Sequence, residues 1–291
     1  MKLSYRPVAR GFHVTLMSPL GVYPDRSLIL EDAALIVNSD LCFSIVRIVK
    51  QDWGFSEVDS LSPLDIPLSG SLLLSGVGSP YPISGVVLET AEQEPLTEDC
   101  IAECRQHLMA DIDGQKTHEA PAFVVHRPPA SGGRPYENWD YGDIKDKVQN
   151  CIALLERADP VALRGIGSLL KAQMAWRHSE FADAACIYLW IALDAAHSLT
   201  LQKLRESGVQ NPTAKDASTY FNRVVGCETP WEKFFEEDYE NRIRAIHPDN
   251  RFGAEARPQF LADDFLELND LLIPYVGYLV TGVFISRFVD D

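Results

Sequence analysis

The chain has 291 residues, enough for one large domain or two ordinary ones, and its 46% hydrophobic and 23% charged residues are ordinary for a globular fold rather than a disordered one. Its formal net charge of -16 excludes broad, non-specific binding of nucleic acid over the whole surface. It leaves room for a small, local phosphate site.

The N-terminus, Met1-Lys-Leu-Ser-Tyr-Arg-Pro, has no apolar core, so no secretory signal is expected. Six scattered cysteines, at 42, 100, 104, 151, 186 and 227, read as reduced buried thiols of a cytoplasmic chain. The first part of the chain reads as β-rich. Leu41–Val49 has the β-branched run of a strand, Ser71–Ser75 and Gly85–Leu88 are shorter strand-like runs, and Ala122–His126 is a last strand. Between Ser75 and Pro80, a Gly-x-Gly reads as a hairpin turn, since no phosphate-loop pattern follows it. A helix is expected over Leu96–Met109, where Cys100, Cys104 and His107 share a face. Zinc sites draw ligands from a turn and a second element, so this spacing reads as helix packing, and no metal is expected.

Arg127-Pro-Pro-Ala-Ser-Gly-Gly-Arg-Pro135 marks a loop or linker. The expected division is a β-rich domain over residues 1–130, a linker over 131–139 and a helical domain over 140–291. Ile144, Val148, Cys151, Ile152 and Leu155 repeat at helical spacing. Pro160 opens a second helix at the position where proline is tolerated, running through Met174. Ser179 is placed to cap a long Ala-rich third helix from Phe181 to Leu199, and Thr213–Val225 reads as a short one. Trp231, Phe235, Tyr239, Ile243 and Ile246 mark another long helix, and a last one starts near Ala262. The uncharged run Leu271–Ser286 has 16 residues and contains Pro274. It is shorter than the roughly 20 residues needed to cross a bilayer. It therefore reads as a buried helix, and no membrane partner is expected. The fold class is α+β, with a β-rich domain followed by an all-α up-and-down bundle.

Chemistry concentrates in Tyr239-Glu-Asn-Arg-Ile-Arg-Ala-Ile-His-Pro-Asp-Asn-Arg-Phe-Gly253. Arg242 and His247 are five residues apart, about 140° around an ideal helix, so they meet only where the helix is distorted or across a dimer. Pro248 disfavours helical geometry at His247 and supplies such a distortion. Cleaving RNA through its own 2′-hydroxyl requires a base, an acid and a cation for the charge that develops on phosphorus. A histidine that titrates near neutrality and neighbouring arginines are suited to those roles, and a two-fold dimer brings a second set to the same groove.

The Arg-x4-His spacing, the text around it, Ala262-Asp-Asp-Phe265 and the helix Ala184–Ala196 together resemble the HEPN superfamily, in particular its Apea-like group. The resemblance covers roughly residues 140–290. It implies a helical-bundle homodimer with facing motifs and metal-independent RNA cleavage, often in toxin or anti-phage defence systems, with no cofactor. It assigns phosphate binding to Arg242 and proton transfer to His247. Asn241, Arg244 and Arg251 are the adjoining candidates for RNA contact. Catalytic members usually carry a polar residue after the motif arginine, whereas here that residue is Ile243. The alternative reading is therefore a non-catalytic HEPN-like module that dimerises and binds a ligand or partner as a sensor.

Overall fold

The computed structural model describes residues 11–18, 21–24, 26–38, 41–48, 65–89, 96–116, 141–178, 181–226, 233–235 and 262–283. It is α+β, with an N-terminal antiparallel sheet followed by mostly helical segments. The chain divides into two compact units, one through Ala153 and one from Leu154.

In the first unit, strands β1 (Gly11–Met17), β2 (Leu28–Ile29), β3 (Ala33–Val37), β4 (Cys42–Ile48) and β5 (Pro82–Glu89) form a sheet in the order β2-β3-β4-β1-β5, antiparallel at every step. β1 is an interior strand, paired with β4 on one side and β5 on the other, and is buried along its whole length. Because side chains alternate across a strand, it divides into two sets. Phe12, Val14 and Leu16 pack with Phe43 and Ile45 against Cys100, Ile101, Cys104 and Leu108 of helix α2 (Glu98–Lys116). Met17, Leu35 and Cys42, on the other face, pack against helix α1 (Asp65–Leu74) through Leu68 and Leu72, and against helix α3 (Tyr141–Leu155) through Val148 and Ile152. A backbone N–H of the β2–β3 turn, at Glu31, donates to Gln149 of α3 over 3.2 Å. Each fully buried aliphatic or aromatic side chain contributes roughly 1.5–3 kcal/mol, so covering both faces is the main source of this unit's stability.

The strand expected over Leu41–Val49 is present as β4, Cys42–Ile48, and the run Gly85–Leu88 lies within β5. Ser71–Ser75, expected as a strand, is instead the end of α1. A short apolar run fits either structure, and here Leu68 and Leu72, four apart, both face the sheet. The following Gly-x-Gly is a helix terminus rather than a hairpin. Gly76 takes φ +71°, its N–H donates to the Leu73 carbonyl, and Val77 N–H donates to the Leu72 carbonyl over 2.9 Å. Val77 and Leu72 close this terminus by joining the same apolar cluster. Ala122–His126 and residues 131–139 lie outside the described residues.

In the second unit, helix α4 (Pro160–Trp176) starts with Pro160 in its first turn, and the Asp159 carboxylate accepts from Val161 N–H at 2.7 Å. Helix α5 (Ala182–Glu206) packs along α4 where Gly165 meets Ala195; a Cβ on Gly165 would come within 2.9 Å of the Ala195 methyl. Helix α6 (Ala214–Val225) opens with a capping box, Thr213 to Asp216. Helix α7 (Ala262–Thr281) carries most of the uncharged run and buries Leu272, Ile273, Tyr275, Val276 and Leu279. Among the described residues one helix, α5, is long and apolar enough to cross a bilayer, but 56% of its most apolar stretch is buried inside the fold.

Candidate functional site

Arg242, His247, Asn241, Arg244 and Arg251 lie outside the described residues. The last described residues before them, Phe234 and Phe235, are buried in the helical unit. Phe234 stacks on Phe221 of α6 with ring centres 3.8 Å apart. Phe235 meets the ring of Tyr275 of α7 and lies 5.0 Å from the His197 ring of α5. Of the expected stripe only Phe235, seven residues ahead of Arg242, is among the described residues, and it is buried; Trp231, Tyr239, Ile243 and Ile246 lie outside them. His197 contacts an aromatic ring in this core, while Asp194, its nearest acidic neighbour in sequence, is exposed.

Beneath these rings, α5 and α7 share a buried polar link. Thr200 Oγ1 donates to the Ala196 carbonyl at 2.7 Å, and its oxygen lies 2.6 Å from the Tyr275 hydroxyl. Since Thr200 has committed its only proton, Tyr275 is the donor of the pair. Burial pushes the Tyr275 hydroxyl well above the ordinary tyrosine range, so it keeps that proton.

The first unit contains a constellation that the sequence reading did not single out. His13 and Thr15 of β1 and Asp65 of α1 are all buried, at 2–3% exposure. Thr15 donates to Asp65 Oδ1 at 2.8 Å, and the same oxygen lies 3.6 Å from His13 Nδ1. His13 Nε2 is 3.5 Å from Thr15 Oγ1. These are the residue types of a nucleophilic triad, but the arrangement is not one. The threonine proton goes to the carboxylate rather than to the imidazole, and burial closes the group to a substrate. It acts instead as a polar fastening of the α1 N-terminus to β1, where the helix dipole favours the Asp65 carboxylate. Burial lowers the His13 pKa and outweighs the opposing attraction of Asp65. The signal for this group was the alternation in Gly11–Met17, which sets His and Thr on one face and Phe, Val and Leu on the other.

The Cys100–Cys104–His107 face separates by environment. Both thiols are buried in the sheet–α2 core, and burial pushes the Cys104 thiol up to about 12. His107 is half exposed, with its ring 3.9 Å from Glu103. The cysteines at 42, 100, 104, 151 and 186 are buried thiols that form no disulfide. Among the described residues no cluster of His, Cys, Asp or Glu has the arrangement of a metal site.

No family model, curated protein or solved structure matches the chain.

Proposed function

We propose that this chain is a metal-independent endoribonuclease that acts as a homodimer through a composite Arg242–His247 site. The observation that carries the proposal is the Tyr239–Gly253 segment, with Arg242, Arg244 and Arg251 gathered about a histidine that precedes a proline in a chain of net charge -16. The resemblance of residues 140–290 to Apea-like HEPN domains supports it, and so does the helical character of this half. The anchoring of Phe234 and Phe235 in the α5–α6–α7 core gives the segment a fixed point of departure.

In this reading His247 and its copy in the partner subunit share the proton transfers. One takes the proton of the ribose 2′-hydroxyl as its oxygen attacks phosphorus, and the other protonates the departing 5′-oxygen. Arg242 compensates the charge on the pentacoordinate phosphorus, and Asn241, Arg244 and Arg251 hold the adjoining backbone. The products are a 2′,3′-cyclic phosphate and a 5′-hydroxyl. Toxin or defence activity is the setting that the family resemblance suggests, and the cytoplasm is the matching compartment.

The test is cleavage of RNA in excess chelator by the wild-type protein, Arg242→Ala and His247→Ala. Loss of one general acid–base group lowers the rate by about 10²–10⁴-fold. Equal cleavage by all three proteins, or cleavage by none, contradicts the proposal. A second reading, a non-catalytic dimerising sensor, is favoured by Ile243, the apolar residue directly after the motif arginine. It predicts a stable dimer and no cleavage.

A further inference from the structure

The notch left by Gly85 brings one end of a buried imidazole to the edge of the sheet. β5 is the last strand of the order β2-β3-β4-β1-β5, so among the described strands it pairs with β1 alone. Gly85 stands opposite Thr15 and is exposed, yet a Cβ built on it would lie 2.4 Å from His13 Nε2. The His13 ring, 3% exposed, therefore occupies the place of the missing side chain and is covered on its Nε2 side by edge-strand backbone. Its other end faces α1, with Nδ1 3.6 Å from Asp65 Oδ1. Register places Val46 of β4 and Val87 of β5 opposite His13 and Ser44 beside Thr15, while Glu89 stands opposite Gly11 at the far end of β5. α3 turns Val148 and Ile152 toward this side of the sheet, and its Asp143, Lys145, Asp146 and Lys147 are exposed. Among the described residues Asp65 is thus the charged group that bears on the imidazole.

We infer that His13 is an acid-sensitive latch on the sheet edge: when the imidazole takes up a proton, β5 parts from β1 and lets water reach it. A buried imidazolium needs water or well-placed acceptors around it. Asp65 offers one carboxylate, but Thr15 already donates to the oxygen that faces His13. Burial outweighs the attraction of Asp65 and holds the ring neutral in the closed sheet. Water can reach Nε2 past Gly85, and β5 is the weakly held side of the ring. It has one partner strand, it begins with Pro82, which has no N–H for the ladder, and its register shifts where Met17 meets Pro82. α1, on the Nδ1 side, is anchored by Leu68 and Leu72 in the apolar cluster. Opening one edge strand costs less than unfolding the unit, so it is the motion that answers proton uptake first. The open strand leaves the imidazole near its ordinary 6.5, whereas the closed strand lowers it, so protons favour the open form as pH falls below 6.5. The latch belongs to the first unit and is independent of the nuclease reading.

The test is backbone hydrogen exchange of the full chain, read by mass spectrometry between about pH 8 and pH 5, the range over which histidine changes charge. Rates are corrected for the intrinsic effect of pH. In the wild type, protection of Pro82–Glu89 falls below pH 6.5 by up to about tenfold per pH unit, the limit for uptake of one proton. Ala33–Val37 and Cys42–Ile48 keep their protection over the same range, and His13→Gln removes the response of β5. Parallel loss in β3, β4 and β5 is unfolding of the whole unit and overturns the latch. So does a β5 that keeps its protection, or an equal response in His13→Gln. Exchange at the histidine C2 position of the wild type is a second readout that needs no variant. His13 titrates below 6.5 and in step with the protection of β5, and a titration out of step with β5 overturns the latch.

Discussion

Gly85 and His13 illustrate how one missing side chain fixes a core. The two residues lie on neighbouring strands, and a Cβ added to Gly85 would sit 2.4 Å from His13 Nε2. His13 has little room to yield, since it is 3% exposed and lies against Asp65 and Thr15. Gly85→Ala is therefore expected to destabilise the first unit by about 1–3 kcal/mol, read from urea unfolding, and adding His13→Ala restores part of the loss. An undiminished loss in the double variant counts against the contact. The pH dependence follows from the same histidine. Its folded pKa is depressed below 6.5, chiefly by burial, so the unfolded chain binds the proton more readily. The His13 contribution is fully present above pH 6.5 and is lost as pH falls from there through the folded pKa. Unfolding midpoints measured across this range fall less steeply in His13→Gln than in the wild type. This group was hard to read in advance because Asp65 reaches His13 and Thr15 from 50 residues away, and no local spacing announces such a meeting.

At the scale of elements, legibility followed length and periodicity. α4, α5 and α6 have sustained helical stripes; α4 and α6 start with a proline or a capping box as read, whereas α5 starts after Phe181 with no side-chain cap, in place of the expected Ser179, and runs on to Glu206. β4 was legible from its β-branched run. α1 was not, because Leu72-Leu-Leu74 is too short to show a period, and only the sheet beneath it selects the helix. The φ of +71° at Gly76 ends α1, so Gly76→Ala costs about 1 kcal/mol in thermal or urea unfolding, and an unchanged midpoint contradicts this terminus. Between α5 and α7, the direction of the Thr200–Tyr275 bond makes the two partners unequal. Tyr275→Phe leaves Thr200 its bond to Ala196 and costs about 1 kcal/mol. Thr200→Val strands a buried hydroxyl proton and costs about 1–3 kcal/mol. The reverse order in urea unfolding would show that the bond runs the other way.

For the whole molecule, composition and pattern were sufficient for an α+β chain with the sheet first and the helices after it. The candidate site was legible only as residue types and spacing. Arg242 and His247 belong to a segment outside the described residues, and a five-residue spacing does not put two side chains on one face of a regular helix. The helical unit contributes an aromatic anchor at Phe234–Phe235. In the proposed nuclease, the phosphate contacts fall to Arg242, Arg244 and Arg251 of an otherwise acidic chain, so cleavage is expected to weaken as salt rises. The most direct measurement of the central claim is the end group left on RNA after incubation with the purified protein in excess chelator. The account predicts 2′,3′-cyclic phosphate and 5′-hydroxyl ends, formed by the wild type and lost in His247→Ala. Ends of 3′-hydroxyl and 5′-phosphate, or the same products from His247→Ala, would contradict it.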